Sequence, residues 1–154
     1  MNEEEKKADS KKRAGLTALV IAGIICLFAV FAWWLFPKPR EIGTSGIYTK
    51  EILEEKTRQV ISMLNQNDFD ALRTDASDEM QSVLTQGQID QVRDQLGDDW
   101  GESVSVDIFS TQEIKQQGKL YAATQAMAVY ENITVIYTVS FDQEMRLSGL
   151  YMKK

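Results

Sequence analysis

An uncharged run from Ala14 to Phe36 constrains this chain more than any other feature. As a helix rising about 1.5 Å per residue it would be about 34 Å long, and the hydrocarbon core of a bilayer is about 30 Å thick. A helix of a soluble protein is rarely apolar on every face over such a length. The run therefore predicts a single transmembrane helix over residues 14–36.

The basic residues on either side of this run predict its orientation. Residues 1–13 contain five Lys and Arg side chains, whereas the opposite flank has Lys38 and Arg40. Because the more basic flank stays in the cytoplasm, residues 1–13 are expected to form a cytoplasmic tail. Trp33 and Trp34 would then lie at the outer headgroup level, where such rings prefer to be. This places the C-terminal part of the chain outside the cell membrane.

Two alternatives and one further feature concern the same run. A cleaved signal peptide would use Val30-Phe31-Ala32, but the apolar stretch is long for a signal core and is followed by bulky residues. A lipid anchor on Cys26 is disfavoured because Ile25, not a small residue, precedes it. Small residues also recur at every fourth position, which would allow two helices to pair. These residues are Ala14, Ala18, Ala22 and Cys26.

Composition limits the chemistry of the outer part. Residues 1–40 carry seven basic and four acidic side chains, and the other 114 residues carry ten and nineteen, a net charge of −9. That charge disfavours nucleic-acid binding, which depends on Lys and Arg. The outer part has no His and no Cys, so catalytic triads, thiol nucleophiles and structural zinc sites are disfavoured. We therefore expect no enzyme, no metal and no cofactor.

Capping signals predict four helices in a domain over residues 49–154, which follows a linker over residues 37–48. Each helix should begin at a side chain that can accept a backbone N–H bond. The caps are Thr49, Asp68, Ser77 and Thr85, the last with Gln88 at capping-box spacing. The first helix should bury a stripe at helical spacing. The stripe is Leu53, Thr57, Val60 and Leu64. Gly97 suits the end of the fourth helix.

After Gly101 the apolar period changes from helical spacing to alternation, which is typical of strands. The predicted strands are Val104–Ile108, Leu120–Tyr130, Ile133–Phe141 and Met145–Met152, and the second is Ala-rich enough to suit a helix as well. Turns are expected at Gln116–Lys119, Glu131–Asn132 and Gln143–Glu144. Helices followed by an antiparallel meander indicate an α+β fold with a four-stranded sheet.

This order resembles the nuclear-transport-factor-two-like, or cystatin-like, fold and, more narrowly, bacterial envelope domains of unknown function. The resemblance covers about residues 48–152 and depends on a turn after the first helix and on the last two strands. The matching residues are Leu64, Asn65, Asp68, Phe69, Val139, Phe141, Asp142, Leu147, Gly149 and Leu150. It implies a long helix wrapped by a curved sheet, with a cone-shaped cavity between them. It implies no activity, because that fold has many functions.

Four residues are candidates for a binding surface or pocket: Trp100, Asp107, Tyr121 and Tyr137. Asp107 beside Tyr121 or Tyr137 in a dry cavity would suit acid–base chemistry, but strand alternation places Asp107 opposite Val106 and Ile108, on the wet face. Tyr side chains on several strands suit a recognition surface or simple cross-strand packing. Asp142 is expected to bond its own turn.

These inferences together predict a single-pass membrane protein with an extracytoplasmic α+β domain. Its expected role is non-catalytic: binding another envelope protein or a small ligand, or self-association. One alternative is a scaffold subunit of a conjugation or type four secretion-like complex, by similarity of layout alone. The other is a ligand-binding or enzymatic pocket within the cone.

Overall fold

The computed structural model describes residues 38–154, in which the helices precede the long strands. The helices are α1 Lys50–Asn65, α2 Phe69–Thr74, α3 Asp78–Val83 and α4 Gln86–Leu96. The strands are β1 Lys38–Arg40, β2 Ser103–Gln116, β3 Lys119–Tyr130, β4 Thr134–Phe141 and β5 Leu147–Lys153. In this part of the chain no helix is both long and apolar enough to cross a membrane. The predicted tail and transmembrane helix, residues 1–13 and 14–36, lie outside the described residues.

All four helices begin at the predicted caps. The side chain of Thr49 accepts a bond from Ile52 N, and Asp68 and Ser77 do the same for α2 and α3. Thr85 and Gln88 form the reciprocal capping box that opens α4. The four predicted caps are therefore confirmed. They were predictable because a cap is a local interaction, which a few neighbouring residues specify.

The sheet has five antiparallel strands in the order β1-β2-β3-β4-β5, so the expectation of four strands was wrong. The additional strand, β1, lies in the segment that the sequence assigned to a linker. It pairs with the far end of β2, from Lys38 with Lys115 to Arg40 with Glu113. Pro39 lies within this strand, opposite Ile114, and an edge strand accommodates proline because one side of its backbone needs no partner.

The first long strand is also longer than predicted, because two bulges interrupt its alternation. Register shifts flank Val104 and Phe109, whose side chains are 65% and 58% exposed. A bulge adds one residue to one strand, so the in-out pattern changes phase. The predicted turn at Gln116–Lys119 is confirmed. Its central residues, Gln117 and Gly118, have φ values of 50° and 81°, as a tight hairpin requires.

The core lies between the helices and one face of the sheet, here called the inner face. The predicted stripe of α1 is buried, with Leu53, Thr57 and Val60 fully inaccessible. The Ala-rich segment is strand β3, and its side chains at Ala122, Ala126 and Ala128 are fully buried. α1 contacts β3, and small side chains on the inner face allow a helix to approach closely.

Candidate functional site

An apolar groove of about 570 Å³ lies between α3, α4 and the edge strand β5. This volume is within the range of small-molecule and peptide sites, which are also largely apolar. The lining residues are Met80, Val83, Leu84, Gln88, Ile89, Val92, Gln95, Leu96, Gly149, Leu150, Tyr151 and Met152. Val83 and Tyr151 are 54% and 61% exposed, so the groove opens to solvent.

The α4 wall of the groove follows from the spacing of its apolar residues. Ile89, Val92 and Leu96 recur at helical spacing and project to one side of the helix. Ile89 is buried against the core, and Val92 and Leu96 are partly buried. The capping box at Thr85 secures the start of this helix, and the amide of Gly97 bonds Arg93 O at its end. The wall is therefore held at both ends.

The opposite wall is the backbone edge of β5. At its first residue, Leu147 exchanges two backbone bonds of 2.8 Å with Asp75 and Ser77. Beyond this bridge, the sheet of residues 38–154 ends at β5, so the edge from Ser148 to Lys153 has no strand partner. An unpaired strand edge can accept an added strand.

The lining of the groove is poor in reactive groups. Of the described residues that form it, Tyr151 alone has a titratable side chain, and Gln88 and Gln95 supply amides. This arrangement can bind an apolar group and orient it by hydrogen bonds. It places no carboxylate, lysine or arginine in the lining where acid–base chemistry would need one.

Trp100 belongs mainly to the core. It is 6% exposed, and its indole nitrogen donates a 2.9 Å bond to Gly97 O. Its ring meets the ring of Tyr130 at 5.0 Å, edge to face, and the Arg93 guanidinium carbon lies 4.8 Å from the ring centroid. The same Arg93 donates to Leu64 O and so holds the end of α1. A polar hollow of about 410 Å³ beside Trp100 contains Asp98.

Tyr137 lies in the core and is 1% exposed. Its hydroxyl is 2.8 Å from that of Tyr130, which also bonds Asn65 Oδ1 at 2.8 Å. Burial raises the pKa of both phenols above the usual value for tyrosine, since the charged form loses its hydration. The pair bonds the last residue of α1 to the sheet, and its hydroxyls are buried.

Asp107 and Tyr121 lie apart from this cluster. Asp107 is exposed on the sheet face that points away from the helices, the outer face, and accepts a bond from the Ser105 hydroxyl. Tyr121 lies about 20 Å further along the same face, opposite Ile114, and borders a charged hollow of about 540 Å³. Thus the structure brings Trp100 and Tyr137 together through Tyr130, and it brings neither to Asp107 or Tyr121.

Glu113 is a residue that sequence reasoning missed. Its side chain is fully buried, and its carboxylate accepts bonds from Gly43 N, Ser45 N and the Ser45 hydroxyl at 2.9–3.2 Å. These bonds hold the loop after β1 against the sheet. Gly43 and Gly46 have φ values of 87° and 73°, a left-handed conformation that glycine adopts readily. The two glycines are the sequence signal for this ordered loop, which lies in the segment predicted to be a linker.

Tyr48, just after the loop that Glu113 holds, bonds this segment to the start of β3. It is 1% exposed, and its hydroxyl donates a 3.1 Å bond to Leu120 O. Burial, with the nearby charges of Asp142 and Glu113, raises the pKa of Tyr48 to about 12. Asp142 has the predicted turn role, since its carboxylate accepts the amides of Glu144 and Arg146.

Within residues 38–154, no group of three or more His, Cys, Asp or Glu side chains is placed to hold a metal ion. Four helices on an antiparallel meander, with an apolar groove at the sheet edge, define a small α+β domain with one groove-shaped candidate binding site. The chain belongs to the family described as "Protein of unknown function (DUF3887)", which matches residues 57–150.

A solved structure described as "NMR structure of protein from Ruminococcus gnavus ATCC 29149" has a similar fold. The TM-score is 0.58 at 19% sequence identity, over 74% of this chain and 97% of that one. At this identity the similarity concerns the fold alone. No curated protein matches the chain.

Proposed function

We propose that this chain is a single-pass membrane protein whose extracytoplasmic domain, of the nuclear-transport-factor-two-like kind, binds an extended apolar segment of another envelope protein. The segment would lie in the groove and add a strand to β5. The observation that carries this proposal is the combination of an unpaired strand edge with apolar helix walls facing it. In such complexes the main chain supplies affinity and the side-chain pockets supply specificity.

The chemistry of the groove supports binding rather than catalysis. The buried tyrosines whose pKa values are raised lie outside the groove, and their hydroxyls form structural hydrogen bonds. They are Tyr48, Tyr130 and Tyr137. The buried carboxylate of Glu113 is likewise engaged by the loop at residues 43–45. We therefore propose a non-enzymatic role.

Location is tested on the intact chain in cells. Membrane fractionation should recover the full-length protein with the membranes, and protease added outside the cytoplasmic membrane should digest the domain but not residues 1–13. Recovery in the cytosol, or protection of the domain from external protease, would contradict the proposal.

Binding is tested with the full chain in lipid nanodiscs and a probe peptide of alternating Val and Thr. We expect the amides of Leu150 and Met152 to become protected from hydrogen exchange, because they point away from β4 at the free edge of β5. Val92→Asp should abolish the protection by placing a charge in the apolar wall. Asp90→Asn on the same helix, outside the lining, is the matched control. Absence of protection, or protection that survives Val92→Asp, would exclude the groove as the site.

A further inference from the structure

The outer face of the sheet has a distinctive distribution of charge. The paired positions that point outward on β2 to β5 are Ser105, Asp107, Ser110, Gln112, Ile114, Tyr121, Ala123, Gln125, Met127, Val129, Thr134, Ile136, Thr138, Ser140, Gly149, Tyr151 and Lys153. Two of these described positions are charged, Asp107 and Lys153, in a domain where acidic residues are otherwise abundant. Depletion of charge with exposed Met and Tyr is typical of the centre of a protein interface.

The two charges lie in one row across the sheet. Asp107 on β2 is opposite Met127 on β3, Met127 is opposite Ile136 on β4, and Ile136 is opposite Lys153 on β5. The row therefore has an acid at one end, two apolar side chains in the middle and a base at the other end. Met127 is 38% exposed, and Asp107 and Lys153 are exposed. Among residues 38–154, neither Asp107 nor Lys153 forms an ion pair.

We infer that the outer face binds the same face of a second copy of this chain, through a two-fold axis that runs along the strands between β3 and β4. This operation reverses the order of the row. It places Asp107 of each copy opposite Lys153 of the other and Met127 opposite Ile136. A two-fold axis along the row would instead place like charges together, so the charge pattern selects the first arrangement.

The neighbouring rows are self-complementary in size under the same operation. One row runs Ser110, Gln125, Thr138, Tyr151, so the largest side chain would face the smallest. The next row runs Gln112, Ala123, Ser140, Gly149. In it the long side chain of Gln112 would face Gly149 of the other copy. Two sheets packed in this way keep their strands roughly aligned, about 10 Å apart.

This two-fold axis also allows both copies to be anchored in the same membrane. Rotation about the strand direction leaves heights along the strands unchanged, so the two Lys38 residues lie at the same end of the dimer. Two copies held in one membrane require this. Four strands about 4.8 Å apart and about eight residues of about 3.3 Å give a flat area of about 500 Å² per copy. That is below the area of a stable standard interface, so the dimer should be weak and dependent on concentration.

The inference goes beyond the proposed function, because it concerns the outer face of the sheet, which shares with the groove lining Gly149 and Tyr151 at the β5 edge. The first test is cross-linking of the full chain in detergent, in a Cys26→Ala background. A bis-maleimide that spans about 10 Å, the distance between packed sheets, is added to Asp107→Cys, to Lys153→Cys, or to their mixture. The mixture should give far more dimer than either variant alone. A mixture of Lys50→Cys and Asp90→Cys, exposed on the helices, is the matched control.

The second test measures the mass of the full chain by analytical ultracentrifugation over a range of concentrations. Asp107→Lys and Lys153→Asp should each raise the dimer dissociation constant roughly tenfold, since each replaces two attractions by two repulsions. The double variant should restore the original value. A monomer at the highest soluble concentration, equal cross-linking of like variants, or failure of the charge swap to restore the dimer would overturn the inference. Each of these results leaves the groove proposal unaffected.

Discussion

At the scale of single residues, the most informative side chain is Glu113. A carboxylate on the inner face of a sheet would be costly without partners, and here three donors from the loop after β1 surround it. Its strand, from Ser103 to Gln116, gives no local sign of this role. The partners are about 70 positions away, so only folding brings them within bonding distance.

Glu113→Gln should lower the free energy of unfolding by about 2 kcal/mol, because hydrogen bonds to a charged group are replaced by an amide that turns an N–H toward donors. Urea unfolding of a fragment spanning residues 38–154 measures the change. Hydrogen exchange at Gly43 and Ser45 should rise by more than the global loss of stability explains. Glu41→Gln, exposed in the same loop, is the control. Unchanged stability and unchanged exchange would show that the bonds do not hold the loop.

The remaining candidates at this scale show what residue type can and cannot indicate. Trp100 and Tyr137 were candidates for a binding surface or pocket, but both side chains are buried in the core. The alternation of the strand placed Asp107 on the wet face, and it is exposed there. Which of these side chains would meet was not predictable, because Tyr130 joins two of them through tertiary contacts.

At the scale of elements, the helices were predictable and the ends of the sheet were not. A helix cap is specified by residues three positions apart, so Thr49, Asp68, Ser77 and Thr85 were visible in the sequence. β1 is visible only from its pairing with β2, and the bulges at Val104 and Phe109 hide the strand pattern. The groove lies between the consecutive helices α3 and α4 and strand β5. Three strands separate α4 from β5 in the sequence.

Thr85→Ala should destabilise the domain by about 1 kcal/mol, because the first amides of α4 lose their side-chain acceptor. Thermal unfolding measures the loss, and hydrogen exchange should show that it is concentrated in the first turn of α4. Thr85→Ser keeps the hydroxyl and should restore most of the stability. If Thr85→Ser destabilises as much as Thr85→Ala, then the methyl group rather than the cap is responsible.

At the scale of the whole molecule, stability in residues 38–154 depends on the packed core and its buried phenols. Residues 38–154 contain no cysteine, so no disulfide supports the core. Three buried hydroxyls, those of Tyr48, Tyr130 and Tyr137, are hydrogen bonded and must stay protonated in the folded state. Their raised pKa values therefore link the stability of the domain to alkaline pH.

The stability of the domain should be constant up to about pH 10, the pKa of tyrosine in the unfolded chain, and should fall as the pH rises through about 12. The free energy of unfolding falls with rising pH because the folded state retains tyrosine protons that the unfolded state releases. Urea unfolding at a series of pH values, with tyrosinate absorbance, measures both events. Tyr48→Phe should make the alkaline loss shallower, whereas Tyr151→Phe, at an exposed position, should leave the profile unchanged. Full ionisation of all tyrosines before unfolding would contradict this explanation.

Within residues 38–154, the α+β class and the start of each helix could be predicted from the residues alone, because capping and alternation are properties of neighbouring residues. The transmembrane helix predicted from the apolar run at residues 14–36 lies outside the described residues and stays a prediction. The fifth strand, the Glu113 contacts, the groove and the row from Asp107 to Lys153 became visible only in the folded domain. Each of these depends on pairing between distant segments, and a linear pattern does not specify which segments will meet.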